Sequence, residues 1–290
     1  MAHVQLHLFV KGTAHGHRLR KRQGRKAAPV RPSRVNELWY KAELLKVVRH
    51  MRQLTRDLVY PELKVLVESQ PLHDHKMVGD ALPRRSLDTS LNKVAQRLGG
   101  IDKTAQRLSE LAVQKNLQAV DERLAASIRA SVSVDISAAL TTSGPIQAAV
   151  AQATAANVEL IKSIPTQYLE KVGDAVMDNL VEGTRWEDLA KAIEHVGDVT
   201  ESRAKLIARD QTSKMNGAFN EARQTSLGID QYIWQTSGDE RVREDHAAND
   251  GQVFSWNDPP ATGHPGEDIN CRCVAVPYFD LDKMEEDTYQ

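Results

Sequence analysis

Apolar side chains recur at intervals of three and four up to Leu227, and after Ile229 that period stops. The chain is therefore read as a long helical part followed by a short segment built on other rules. Leu45, Val48, Met51, Leu54 and Leu58 mark a first helix that Asn36 can cap. Pro61 can open a second, because its missing N–H costs nothing in a first turn. Asp88 and Asp102 are read as caps of two more, separated by Gly99-Gly100. Between Ile101 and Ala130, Leu108, Leu111, Leu117, Val120, Leu124 and Ile128 form a stripe, for core packing first and subunit contact second. Pro165 is placed in the first turn of a helix ending near Gly183, and Thr184 with Glu187 forms a capping box. That box opens a helix bearing Leu189, Ala190 and Ile193 and closed by Gly197. Thr200-Glu201 then starts a longer one, with Ala204, Ile207, Ala208, Met215, Ala218, Phe219 and Ala222 inward and Gly228 at its end.

The two ends differ from this body. Residues 1–35 read as an irregular basic arm, since Pro29, Pro32 and glycine-containing basic clusters oppose a continuous helix. Within it Val4 to Val10 alternates as a short strand would, fit to join a partner's sheet; the alternative is a disordered tail. From Gln231 to Tyr278 the apolar residues are scattered among turn signals: Gly238-Asp239, Asp250-Gly251, Pro259-Pro260 and Pro265-Gly266. Gln231–Thr236 and Val274–Tyr278 are the expected strands. The expected class is mainly α with a small α+β C-terminal module. The expected segments are an arm (1–35), a helical body (36–160), and a last domain (161–290) of helices 165–227, a short-strand module 231–278 and an acidic tail 280–290. No internal repeat is visible.

Composition supports this and adds charge. Hydrophobic residues make up 41%, charged 27% and aromatic only 5%, which favours helices over sheets. The formal net charge of −1 conceals a polarity. No acidic residue precedes Glu37, whereas Lys11, Arg18, Arg20, Lys21, Arg22, Arg25, Lys26, Arg31 and Arg34 are all basic. At the other end Asp280, Asp282, Glu285, Glu286 and Asp287 face Lys283 alone. Such an arm fits the phosphates of double-stranded DNA or an acidic protein surface. No apolar stretch marks a signal peptide, and Ile136–Val158 is too polar to span a bilayer. Two cysteines one residue apart make no disulfide framework and suit a reducing compartment.

The chemistry worth testing lies in the terminal module. His246, Asp250, His264, Cys271 and Cys273 are all competent zinc ligands. In a strand Cys271 and Cys273 would share a face, with Arg272 turned away. Cys-x-Cys is a weak signature, however, and a metal-free network of turns with two reduced thiols explains the same residues. No cofactor is therefore required, and structural zinc is the candidate. A disulfide between residues so close in a strand would be strained. Asp245-His246, Asn257 and His264 also imitate a metal-dependent nuclease of packaging or ejection, but no helix to carry the last ligands is evident after His264. Asp239, Arg241 and Arg243 read as a salt-bridged loop. No catalytic residue is assigned, and the chain is expected not to be an enzyme.

The ordered series Trp234-Gln-Thr-Ser-Gly-Asp239-Glu-Arg241-Val-Arg243, His246, Asp250-Gly251, Pro259-Pro260, Gly263-His264-Pro265 and Cys271-Arg272-Cys273 resembles the C-terminal domain of Mu protein F-like head morphogenesis proteins. The preceding helix, with Arg203, Ile207, Ala208, Arg209 and Asp210, is similar to the helix leading into that domain. The resemblance covers roughly residues 160–278. Glu244, where relatives often have proline, and a longer spacer between His264 and Cys271 are departures. The resemblance implies a minor capsid protein of a tailed phage, present in several copies near the portal vertex of the virion and made in the host cytoplasm. Its implied partners are portal or major capsid protein, with packaged DNA for the arm and no membrane.

Overall fold

In the computed structural model, residues 27–68, 81–132, 135–140, 143–182 and 184–278 are described. The Val4–Val10 strand, Lys11, Arg18, Arg20, Lys21, Arg22, Arg25, Lys26 and the acidic tail lie outside them. The helices are α1 (Arg34–Leu58), α2 (Tyr60–Glu68), α3 (Ala81–Arg97), α4 (Ile101–Val132), α5 (Gly144–Glu182) and α6 (Trp186–Ser226). There follow β1 (Gln231–Gln235), the short α7 (Glu244–Ala248), β2 (Val253–Ser255) and β3 (Val274–Tyr278). The class is thus mainly α with a small C-terminal sheet. Among the described residues no helix is long and apolar enough to cross a membrane.

Several helix ends differ from expectation. Ser33, rather than Asn36, caps α1: its Oγ accepts the Asn36 N–H at 3.4 Å. Asp88 lies inside α3, and Asp102 is in the first turn of α4 rather than before it. Pro165 sits within α5, which begins twenty-one residues earlier at Gly144. An interior proline removes one backbone bond at a cost of about 3 kcal/mol, and the Ala-rich run before it carries the helix through. Thr184 does not cap α6; its hydroxyl bonds the Asn179 carbonyl and side chain at the end of α5. Gly197 and Thr200 are interior to α6, not its punctuation, and Ala218 is exposed. Of the α4 stripe, Leu108, Val120, Leu124 and Ile128 are buried while Leu111 and Leu117 are half-buried.

Contacts gather the chain into two compact units, each from separated stretches: Met1–Glu37, Leu111–Thr154 and Arg209–Gln290 in one, Leu38–Glu110 and Ala155–Ala208 in the other. The second unit is helical. Tyr40, fully buried, donates to Asn157 at 2.8 Å, and Tyr168 donates to Thr55 at 3.1 Å. An ion-pair network gathers on Glu194, which accepts from Arg52, Arg56 and Tyr60. Arg52 also reaches Asp198 and Glu201. Gly197 admits this: a Cβ there would stand 2.7 Å from the Arg52 guanidine.

The Arg56 hydrogen bonds, reinforced by Arg52 and Tyr60 against the opposing effect of burial, hold the Glu194 carboxyl at about 2. A carboxyl depressed in the fold contributes stability above its ordinary value of 4.5, lost as pH falls towards 2. Urea midpoints should therefore drop over that window, and Glu194→Gln, weaker at pH 6, should converge on the wild type near pH 2. Parallel curves would refute this role.

The first unit is strapped by residues 27–33, the end of the expected arm. Ala27, Val30 and Ser33 are buried. The carbonyls of Ala28, Val30 and Arg31 accept from Ser127, Asn216 and Arg123 at 2.6, 2.9 and 2.6 Å. This stretch is irregular, as Pro29 and Pro32 require, but packed. Its arginine, Arg31, is exposed, and Arg34, which follows it at the start of α1, pairs with Glu37 one turn on. Asn216→Ala would leave the Val30 carbonyl unpaired in a buried place. It should cost about 1–3 kcal/mol by thermal melting, and an unchanged midpoint would contradict the strap.

The sheet has order β2-β1-β3, antiparallel throughout. Tyr232 faces Phe254 and Pro277, and Trp234 faces Ala275. The alternation of β1 splits its side chains between two clusters. Tyr232 and Trp234 join Phe254, Trp256, Cys271, Cys273 and Ala275 on one face. Ile233 joins Val274, Val276 and Ala27 on the other. Strand β3 is covered by α6, where Asn220 and Gln224 both donate to the Ala275 carbonyl, at 2.7 and 3.3 Å. A covered edge cannot recruit a stray strand.

Candidate metal centre

The residues before β3 continue its alternation. Cys271, Cys273 and Ala275 share the Trp234 face, while Arg272 points away and pairs with Asp239 at 2.6 Å. The expected separation of Arg272 from the thiols therefore holds, although the cysteines precede the strand rather than lie in it. Both thiols are buried and unbridged.

Opposite them stands His246, which α7 delivers. This helix of five residues was not visible in the sequence, being too short to show a period. His246 is 3% exposed, and the edge of Trp234 meets its ring at 5.3 Å and 88°. Its Nδ1 lies 3.6 Å from Cys271 Sγ and 3.5 Å from Cys273 Sγ. Its Nε2 lies 3.0 Å from the Asp268 carboxylate. Asp268 was not among the expected ligands; no spacing announces a residue that acts through another's ring. With a carboxylate accepting at Nε2–H, Nδ1 is left as the lone-pair nitrogen.

The thiols are unequal. The hydrogen bond from Cys273 favours the Cys271 thiolate, while the same bond and burial hold the Cys273 thiol up. The cluster borders a cleft of about 250 Å³ lined also by Arg209, Arg241, Arg243 and Asn270.

The other two expected ligands serve the surrounding turns. Asp250 accepts from the Thr236 N–H at 2.7 Å and its hydroxyl at 3.0 Å, closing the end of β1. His264 meets the Tyr232 hydroxyl through Nδ1 at 2.9 Å and packs beside Trp256. Its own N–H donates to Glu267 at 2.8 Å. Among the described residues, the group of ligand atoms lying within 4.8 Å of one another is His246, Cys271 and Cys273. It does not include His264, which the nuclease reading needs. After His264 come turns and β3, not a helix. The loop of Asp239, Arg241 and Arg243 is salt-bridged: Asp239 to Arg272, and Arg243 to Asp268.

Helix α6 fixes the position of this loop. Asp210, buried, accepts the Asn270 N–H at 2.8 Å, and Asn270 adopts the left-handed φ of 59° that short polar residues tolerate. Gly217 lets the loop approach, since a Cβ there would meet the Pro265 carbonyl oxygen at 2.8 Å. Alanine in place of a helical glycine ordinarily gains about 0.5–1 kcal/mol. Gly217→Ala should instead destabilise and speed hydrogen exchange across 263–271. A gain in midpoint would show that the loop does not rest there.

Residues 170–276 match the family described as Phage Mu protein F like protein, a span from the second half of α5 through β3. An uncharacterized protein of Haemophilus influenzae (strain ATCC 51907 / DSM 11121 / KW20 / Rd) is 38% identical over 265 residues, 90% of this chain and 57% of that protein. The chain thus spans little more than half the length of that relative. No solved structure matches this chain. Residues 170–276, the stretch that builds the helix, the sheet and the Cys/His loop, are thus similar to the Phage Mu protein F-like family.

Proposed function

We propose that the protein is a structural component of a tailed-phage head: a minor capsid protein acting in head assembly, beside the portal vertex or on the inner capsid. The observation that carries this reading is the family match over 170–276. The fold suits the role, since long helices offer extended faces to neighbouring subunits. The basic residues 11–34 supply a charged arm for portal or capsid protein, or for packaged DNA. Its work is assembly rather than catalysis.

The test is genetic. Interrupting the reading frame in the genome that encodes the chain should sharply lower the yield of DNA-filled heads, and supplying the protein in trans should restore it. A normal yield of infectious heads would overturn the proposal. For the arm, binding of the purified chain to DNA should weaken steeply as salt rises, with a log–log slope of about −0.9 per phosphate neutralised. Binding that ignores salt would assign the arm to protein contact instead.

A further inference from the structure

We infer that His246, Cys271 and Cys273 bind one zinc ion, with Asp268 orienting the histidine and the fourth position open to the adjoining cleft. The geometry favours a metal over a thiol hydrogen bond. An Nδ1 lone pair accepts one S–H, and a hydrogen bond would draw one sulfur closer than the other. Here the two sulfurs stand at 3.6 and 3.5 Å from the same nitrogen. Tetrahedral zinc, with Zn–S of about 2.3 Å and Zn–N of about 2.0–2.1 Å, separates sulfur from nitrogen by about 3.5–3.6 Å. Both sulfur–nitrogen separations therefore already match those of a loaded site, and all three ligand atoms lie within 4.8 Å of one another.

The second layer agrees with this. Zinc-ligating histidines characteristically donate their remaining N–H to a carboxylate, which fixes tautomer and ring plane. Asp268 accepts this bond from His246 Nε2 at 3.0 Å and is itself held by Arg243 at 3.2 Å. The buried Trp234 indole N–H, beside the thiols in the same cluster, has no hydrogen-bond partner. Both sulfurs bind as thiolates, and any thiol proton that Zn²⁺ displaces passes to solvent. The cleft allows water to complete the tetrahedron. Structurally, the ion would tie α7 to the segment entering β3, supplying rigidity that a small sheet module lacks in apolar area alone.

The test is metal analysis of the purified full-length chain. It should carry one zinc per chain. Cys271→Ser/Cys273→Ser should carry almost none, while His264→Gln retains it. Asp268→Asn should weaken zinc affinity by about 10- to 100-fold without removing a ligand. Cobalt substituted for zinc should give the thiolate charge-transfer absorption of a tetrahedral sulfur site. Should the double variant fail to fold, wild-type protein decides alone: a chelator should release one zinc and make two slow thiols react quickly with a disulfide reagent. Metal-free protein whose thiols react identically with and without chelator would overturn the inference. So would zinc retained by a folded double-serine variant.

Discussion

Trp234→Ala is expected to cost about 3–5 kcal/mol, the range for deleting a large aromatic from a core, and to unfold the sheet module before the helices. Trp234 is fully buried on the central strand, paired opposite Ala275. Its ring meets the His246 ring at 5.3 Å and Phe254 at 6.2 Å, both edge to face, and it shares a cluster with both thiols. Without it the two edge strands lose their common support, and His246 loses the wall that sets its ring. Urea unfolding followed by near-ultraviolet circular dichroism should show an early transition absent from the wild type. Trp234→Phe should recover most of the loss. A single transition displaced by less than about 1 kcal/mol would mean that the core of the module lies elsewhere.

A second large effect is expected at Asp121, through an asymmetry. Arg223 is nearly buried in α6 and grips both oxygens of Asp121 on α4, at 2.7 and 2.8 Å. Asp121 keeps about a quarter of its surface. Asp121→Ala would take the paired carboxylate away from a buried guanidinium and should cost about 3–5 kcal/mol. Arg223→Met leaves a carboxylate that water can reach and fills the space with apolar atoms, so it should cost distinctly less. Chemical denaturation of both variants and their combination checks this, since the double variant should recover part of the Asp121→Ala loss. Equal costs for the two single changes would contradict it.

What the sequence makes legible here depends on the range of the interactions involved. The helices are visible because a stripe such as Val120, Leu124 and Ile128 repeats within one element. Their ends are less so, because Gly197 has the local character of punctuation but answers to a neighbour far along the chain. Gly197 makes room for Arg52, and Gly217 for the loop at Pro265. Strands β1 and β3 are long enough to alternate; β2 and α7, of three and five residues, are not. At the candidate site, residue type alone proposed five ligands and the fold assembles three. Asp250 and His264 have the right chemistry, but β1 takes them for its own turn and hydroxyl. Asp268 and Asp210 contribute by placing other groups, and no spacing reveals that.

The central claim is that this chain is built into a phage head, and its place in the particle tests it most directly. Heads purified from cells carrying the encoding genome should contain the protein in few copies relative to the major capsid subunit. An electron-microscopy label on its C-terminus should mark one vertex, beside the portal. Heads that are complete, filled with DNA and free of the protein would contradict the account.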